Sequence, residues 1–230
     1  MSRAWHRREP EMLEAMKKEV QAQYPNLHFY LHDDRVEVRG TFPIIEDGEE
    51  LDRYLVDITL PREYPDELPV VREIAGRIAH HADNHMSHGV ACLFVPEERW
   101  RICPPGTGFL EFLNNPVRNY FLGYSVYSRT GAWPMGQRAH GVAGIYEYYA
   151  ELLGMTDAAV ITEYLDCLRR KELKGHWLCP CKSGKRIRAC HQLEILDLRR
   201  KIPATVAEKS WTMIHPRKKS SSARRLGDSQ

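Results

Sequence analysis

The tightest constraint on how this chain can fold is one short run, Cys179-Pro-Cys181-Lys-Ser-Gly-Lys-Arg-Ile-Arg-Ala-Cys190-His191. Two thiols one residue apart are followed by an adjacent thiol and imidazole, and Ser183-Gly184 supplies a turn that folds one pair back on the other. Three sulfurs and one nitrogen so placed suit a closed tetrahedral zinc site, with no position left over for catalysis. The spacing therefore predicts structural zinc held by Cys179, Cys181, Cys190 and His191. It also predicts a knuckle that unfolds without metal and loses affinity in acid, as the ligands protonate.

A second cysteine-bearing stretch runs from Asn84 to Trp100. Cys92 lies between Gly89 and Pro96, which points to an irregular surface segment where a thiolate can act as a nucleophile. The same residues also admit a buried strand, because Val90-Ala91-Cys92-Leu93-Phe94-Val95 is an unbroken apolar run. Upstream, His80, His81, His85 and His88 put four histidines in nine positions. Contiguous loop histidines seldom fix tetrahedral geometry, so they are read as supplying a proton acceptor or a hydrogen-bonding brace beside Cys92, with His81, His85 and His88 as candidates.

At 230 residues and 43% hydrophobic content the chain can bury one substantial core and a small appendage. No apolar run approaches the 18 or so residues of a membrane span and no secretory signal is visible, which predicts a soluble, cytoplasmic protein. In that reducing setting six cysteines serve as ligands or nucleophiles and not as a disulfide framework. A net charge of +2 argues against dedicated nucleic-acid binding, although the last third of the chain is clearly basic.

Apolar periodicity predicts an amphipathic helix over residues 8–23. Alternating, β-rich patterns follow at Leu27 to Leu31, Arg35 to Ile45 and Tyr54 to Leu60, with a fourth strand at Leu68 to Ile74, which together make an antiparallel meander. Further helices are expected over Phe109 to Phe121, interrupted at Asn115-Pro116, over Ile145 to Leu153, over Thr156 to Leu173 and over Leu193 to Leu198. The overall class is α+β. Cys103 and Cys167 are expected to be packed and inert.

The segment around Cys92 resembles the active-site segment of the ubiquitin-conjugating enzyme family. In that family an asparagine lies eight residues before the catalytic cysteine, a glycine three before, a leucine directly after and a tryptophan eight after. Here those places hold Asn84, Gly89, Leu93 and Trp100. Tyr64-Pro65-Asp66-Glu67-Leu68-Pro69 is similar to the family's tyrosine-proline-x-x-proline-proline signature, with Leu68 in place of its first late proline. The family's histidine-proline pair before the asparagine is here Ala82-Asp83, with His81 one residue away. Downstream, Trp133-Pro134, His140-Gly141 and Gly144-Ile145 with Tyr149 resemble the bacterial branch. The run from Cys179 to His191 resembles the SEC-C zinc motif, with Lys182 where a glycine is usual.

The resemblance implies a ubiquitin-conjugating-like fold, made of an N-terminal helix, a four-stranded meander and C-terminal helices, plus the zinc knuckle. It implies a catalytic domain over residues 1–154, a helical linker over 155–175, the zinc motif over 176–200 and a basic, disordered tail over 201–230. Cys92 would carry the C-terminal carboxyl of a protein as a thioester and pass it to a lysine amine. Asn84 would stabilise the developing oxyanion or brace the loop. The chain ends Ser229-Gln230 and not in glycine, as a carrier would. No phosphate-binding glycine loop is visible, so activation of the carboxyl would come from a separate activating enzyme or an already activated donor. Bacterial relatives in anti-phage operons (CBASS) suggest a cyclic-oligonucleotide synthase as protein cargo. The competing expectation is a non-catalytic partner-binding module of the same fold, and a third is a nucleic-acid or membrane adaptor built on the knuckle and basic tail, which the near-neutral body disfavours.

Overall fold

The computed structural model describes residues 3–134, 139 and 141–216. It divides into two compact units, residues 1–137 and 138–230.

The first unit opens with α1 (Trp5–Arg8) and α2 (Pro10–Gln23). These two replace the single helix expected over 8–23. Glu9 leaves helical geometry and Pro10 starts the second helix, where its missing N–H costs nothing. Leu13, Met16 and Val20 form the buried stripe of α2. The four expected strands follow as β1 (Leu27–Leu31), β2 (Val36–Glu46), β3 (Glu49–Leu60) and β4 (Val70–Glu73). Asp47-Gly48, both with positive φ, closes the β2–β3 hairpin, the conformation that matches strand twist.

Two further short strands, β5 (Met86–Ser87) and β6 (Val90–Ala91), complete an all-antiparallel sheet of order β1-β2-β3-β4-β6-β5. Alternation on β3 sends Tyr54, Val56, Ile58 and Leu60 inward. They join Phe42 and Ile44 of β2 and the α2 stripe in one core. α3 (Arg99–Ile102) is a single turn after that sheet. The interruption expected at Pro116 does not break the chain direction. α4 (Phe109–Phe112) passes through a π-helical turn, Leu113–Val117, into α5 (Arg118–Thr130). A wide turn accommodates a proline that has no N–H to donate. Gly131, at φ 74°, then ends α5 in the left-handed region.

The second unit contains α6 (Gly141–Leu153), α7 (Ala158–Arg169), α8 (Gln192–Lys201) and α9 (Ala204–Ile214). Asp157 caps α7, its carboxylate accepting from the N–H groups of Ala159 and Val160. At the other end the Arg199 guanidinium donates to the carbonyls of Cys167, Arg170 and Lys171 at 2.7–3.0 Å, which satisfies carbonyls a helix C-terminus leaves open.

Two expected boundaries move. α6 falls in the second unit, so the division lies at 137 and not at 154. α7 is no linker, because Ile161, Tyr164, Leu165 and Leu168 are buried in that unit's interior. The basic tail expected from 201 begins with a helix instead. α9 buries Ala207 and Ser210, and its Trp211 ring lies 4.3 Å from the Arg169 guanidinium and 4.0 Å from the His215 ring. The rest of that tail, residues 217–230, and His140 lie outside the described residues. Cys103 and Cys167 are buried, as expected.

Candidate functional site

The approach to Cys92 is fixed residue by residue from the end of β4. Glu73, buried, accepts hydrogen bonds from the backbone N–H groups of Ala75 and Arg77, both at 2.9 Å, and so sets the turn that leaves the sheet. The Arg77 side chain pairs with Asp52 at 2.9 Å and lies 4.5 Å above the Tyr54 ring. Desolvation would raise the Asp52 carboxyl, but hydrogen bonds from Arg77, Arg53 N–H, Ser125 and Tyr54 outweigh it and hold the pKa at about 2.

The loop beyond is tied to α5. Tyr124 OH donates to the Arg77 carbonyl, Tyr120 OH to the Asn84 carbonyl at 2.9 Å, and Trp133 Nε1 to the Asp83 carbonyl at 2.9 Å. The Trp133 ring stacks on Tyr127 and meets His85 edge-on at 4.9 Å. Gly123 makes this possible, since a Cβ there would lie 2.8 Å from the indole. Trp133 thus holds the loop at Asp83, and the two tyrosines hold it at Asn84 and Arg77. Sequence reasoning missed them. The available signal was Tyr120 and Tyr124 one helical turn apart, with Gly123 between them.

Asn84 is also committed to the loop. Its side-chain amide donates to the Ala79 carbonyl at 2.9 Å, while its own N–H reaches the His81 carbonyl at 3.1 Å. His81 caps the 3-10 turn Ala82–Asn84, its Nδ1 accepting from Asp83 N–H at 3.3 Å. His85 is in the left-handed region and gives its carbonyl to Cys92 N–H at 2.7 Å. His88 and Gly89, both with positive φ, form the β5–β6 turn, with His88 Nδ1 3.0 Å from the Ser87 hydroxyl. The structure thus gathers Asn84, His81, His85 and His88 into one braced loop that ends at Cys92, each with a local bonding role.

Alternation through β6 decides between the two readings of the apolar run. Val90 pairs with Arg72 of β4, Ala91 points inward and is buried, and Cys92 comes out exposed. Only Val90–Ala91 is strand. Protein atoms crowd the sulfur even though the residue is open to solvent, and that desolvation pushes the thiol pKa up. A raised pKa lowers the thiolate fraction at neutral pH. Alkylation of Cys92 by iodoacetamide is accordingly expected to climb about tenfold per pH unit from pH 6 to 8.5 without a plateau. A plateau at or below pH 7 would instead reveal an imidazolium–thiolate pair.

In the second unit the Cys/His run closes on itself. Cys179 N–H bonds to the Lys185 carbonyl and Ile187 N–H to that of Trp177, which makes a two-stranded ribbon with Leu178 opposite Arg186. Lys182, at φ 61°, occupies the left-handed position that explains the glycine usual there, at a cost of roughly 1–2 kcal/mol for a non-glycine residue. One ligand atom each from Cys179, Cys181, Cys190 and His191 lies within 4.8 Å of the others. His191 Nδ1 is 3.2 Å from both Cys179 Sγ and Cys190 Sγ, and Cys181 Sγ is 3.6 Å from Cys190 Sγ. A tetrahedral zinc site has edges of about 3.5 Å for S···N and about 3.8 Å for S···S, so the donors already stand close to that spacing. The Ser183 hydroxyl draws the Cys181 thiol pKa down while burial drives that of Cys179 up. A cation is what would let such neighbours share the thiolate state. His191 Nε2 faces Glu194 at 3.7 Å, the outer carboxylate that commonly orients a ligating imidazole.

No family model, curated protein or solved structure matches the chain. Among the described residues, no helix is long and apolar enough to cross a membrane.

Proposed function

We propose that the first unit is a ubiquitin-conjugating-type acyltransferase with Cys92 as its nucleophile. The observation that carries this reading is the placement of an exposed thiol directly after the short strand β6, at the end of a loop braced through Asn84. The order of helix, four-strand meander, irregular cysteine segment and helix supports it, as do the motif spacings. The Cys92 thiolate attacks the activated C-terminal carbonyl of a protein and expels the activating group, which leaves a thioester. A lysine amine then attacks that carbonyl, the thiolate departs, and the amine's surplus proton passes to water or a nearby base. The cargo we favour is a cyclic-oligonucleotide synthase in cytoplasmic anti-phage defence, with activation by a separate enzyme or an activated donor. Cys179, Cys181, Cys190 and His191 hold structural zinc in a SEC-C-type knuckle.

Two observations favour the second reading, a partner-binding module of the same fold. The Cys92 thiol is raised and not lowered, and the Asn84 amide is turned to the Ala79 carbonyl. The experiment that separates the readings is intact-mass analysis of Cys92 variants purified with candidate cargo. An adduct at residue 92 supports the enzyme, and a complex without one supports the module.

Within the enzyme reading, the Asn84 geometry predicts bracing. Asn84→Ala and Tyr120→Phe act on the same loop, so their effects on transfer should be non-additive, with a coupling of about 1 kcal/mol or more. If Asn84 instead supplied a separate oxyanion donor, its loss would cost about 10²–10³ in rate and simply add to that of Tyr120→Phe.

A further inference from the structure

The whole-chain charge of +2 conceals a division between the units. Residues 1–137 carry 15 basic against 21 acidic side chains, a net −6, whereas residues 138–230 carry 18 against 10, a net +8. The excess is sharpest on the metal ribbon. From Leu173 to Leu193 there are five lysines and arginines and no aspartate or glutamate.

The pairing of the ribbon shows how these cations are presented. Leu178 stands opposite Arg186, and just beyond that bridge Arg188, in the 3-10 turn Ile187–Ala189, gives its N–H to the Gly175 carbonyl. Residues opposite one another, and those two apart along a strand, share a face. Leu178 and Arg186 therefore share one face of the ribbon and are exposed, as are His176 and Arg188 in the turns at its end, while Cys179 and Ile187 are buried. Lys174, Lys185, Arg186 and Arg188 have no carboxylate partner among the described residues. Arg186 is positioned instead by a hydrogen bond from Nη1 to the His176 carbonyl at 2.7 Å, which leaves the rest of its guanidinium free.

We infer that this face binds the backbone of a single-stranded nucleic acid. The exposed guanidiniums of Arg186 and Arg188, two residues apart in sequence, can each grip a phosphate by two parallel N–H···O bonds. Arginine and histidine side chains also stack on unpaired bases, and Leu178, 71% exposed, offers an apolar contact beside them. Acidic peptides share the negative charge but lack flat bases for the imidazole and guanidiniums to stack on. This inference rests on the second unit alone and does not depend on chemistry at Cys92.

The test is fluorescence anisotropy of the metal-loaded full chain with a 20-nucleotide single-stranded RNA or DNA and, in a parallel arm, poly-L-glutamate of equal charge. With four phosphates contacted, log K should fall against log salt with a slope of about −3, so that raising salt from 50 to 200 mM weakens binding roughly 60-fold. Arg186→Ala/Arg188→Ala should shrink that slope by about 1.4 and cut affinity at 50 mM salt by at least about tenfold. Lys185→Glu/Arg188→Glu removes no side-chain hydrogen bond of the ribbon and should weaken binding at least as much with metal content unchanged. Absence of binding at 50 mM salt would overturn the inference. So would equal affinity for poly-L-glutamate, which would identify an acidic protein as the partner, or variants that bind as the parent does.

Discussion

Stripping the metal with a chelator is expected to unfold the ribbon and loosen α7 and α8 while leaving the first unit intact. Ordering some 20 residues costs on the order of 20–40 kcal/mol in backbone entropy. Against that, the segment from Lys174 to His191 buries little beyond Cys179, Pro180 and Ile187. Structural zinc contributes about 10–16 kcal/mol in sites of this kind, a large part of what holds so small a segment in one conformation. Hydrogen exchange reads the result directly. The N–H groups of Cys179, Ile187, Arg188 and Cys190, each bonded within the ribbon, should lose protection when metal is released, and those paired between β2 and β3 should keep theirs. Cys190→Ala should reproduce the loss without chelator. Unchanged protection after complete metal release would mean that packing alone holds the ribbon.

The features most legible in the sequence were those set by local chemistry. Four strands announced themselves through their β-rich patterns, and the Cys/His cluster through spacing, because each depends on residues close together in the chain. Cys92 was harder to place. Its apolar run fits a strand and a surface segment equally well, and only the pairing of Val90 with Arg72 shows that alternation sends the thiol outward. The brace on the Asn84 loop lay further out of reach, since Tyr120, Tyr124 and Trp133 meet it across 36 to 50 residues of sequence. α9 escaped for a different reason. Apolar residues do recur along it at helical spacing, but the basic runs on either side, Arg199-Arg200-Lys201 and Arg217-Lys218-Lys219, group it with the basic tail.

For the acyltransferase proposed here, replacing Cys92 is expected to have the largest effect, and its variants should differ in kind. Cys92→Ala removes the nucleophile and should take cargo attachment to background, a loss of about 10³-fold or more. Cys92→Lys should trap cargo as an amide stable to hydroxylamine and thiols, and Cys92→Ser as an ester that discharges slowly, whereas the parent's thioester is cleaved by both reagents. The raised thiol carries a further consequence. A smaller thiolate fraction slows loading at pH 7, yet a more basic sulfur is intrinsically the better nucleophile, so loading should rise with pH until the thiol is fully ionised. Transfer should rise with pH as well, because the attacking lysine must shed its proton. A loading rate independent of pH between 6 and 8 would mean that a neighbouring cation already holds Cys92 as the thiolate, whereas an adduct that survives in Cys92→Ala would remove Cys92 from the proposed chemistry.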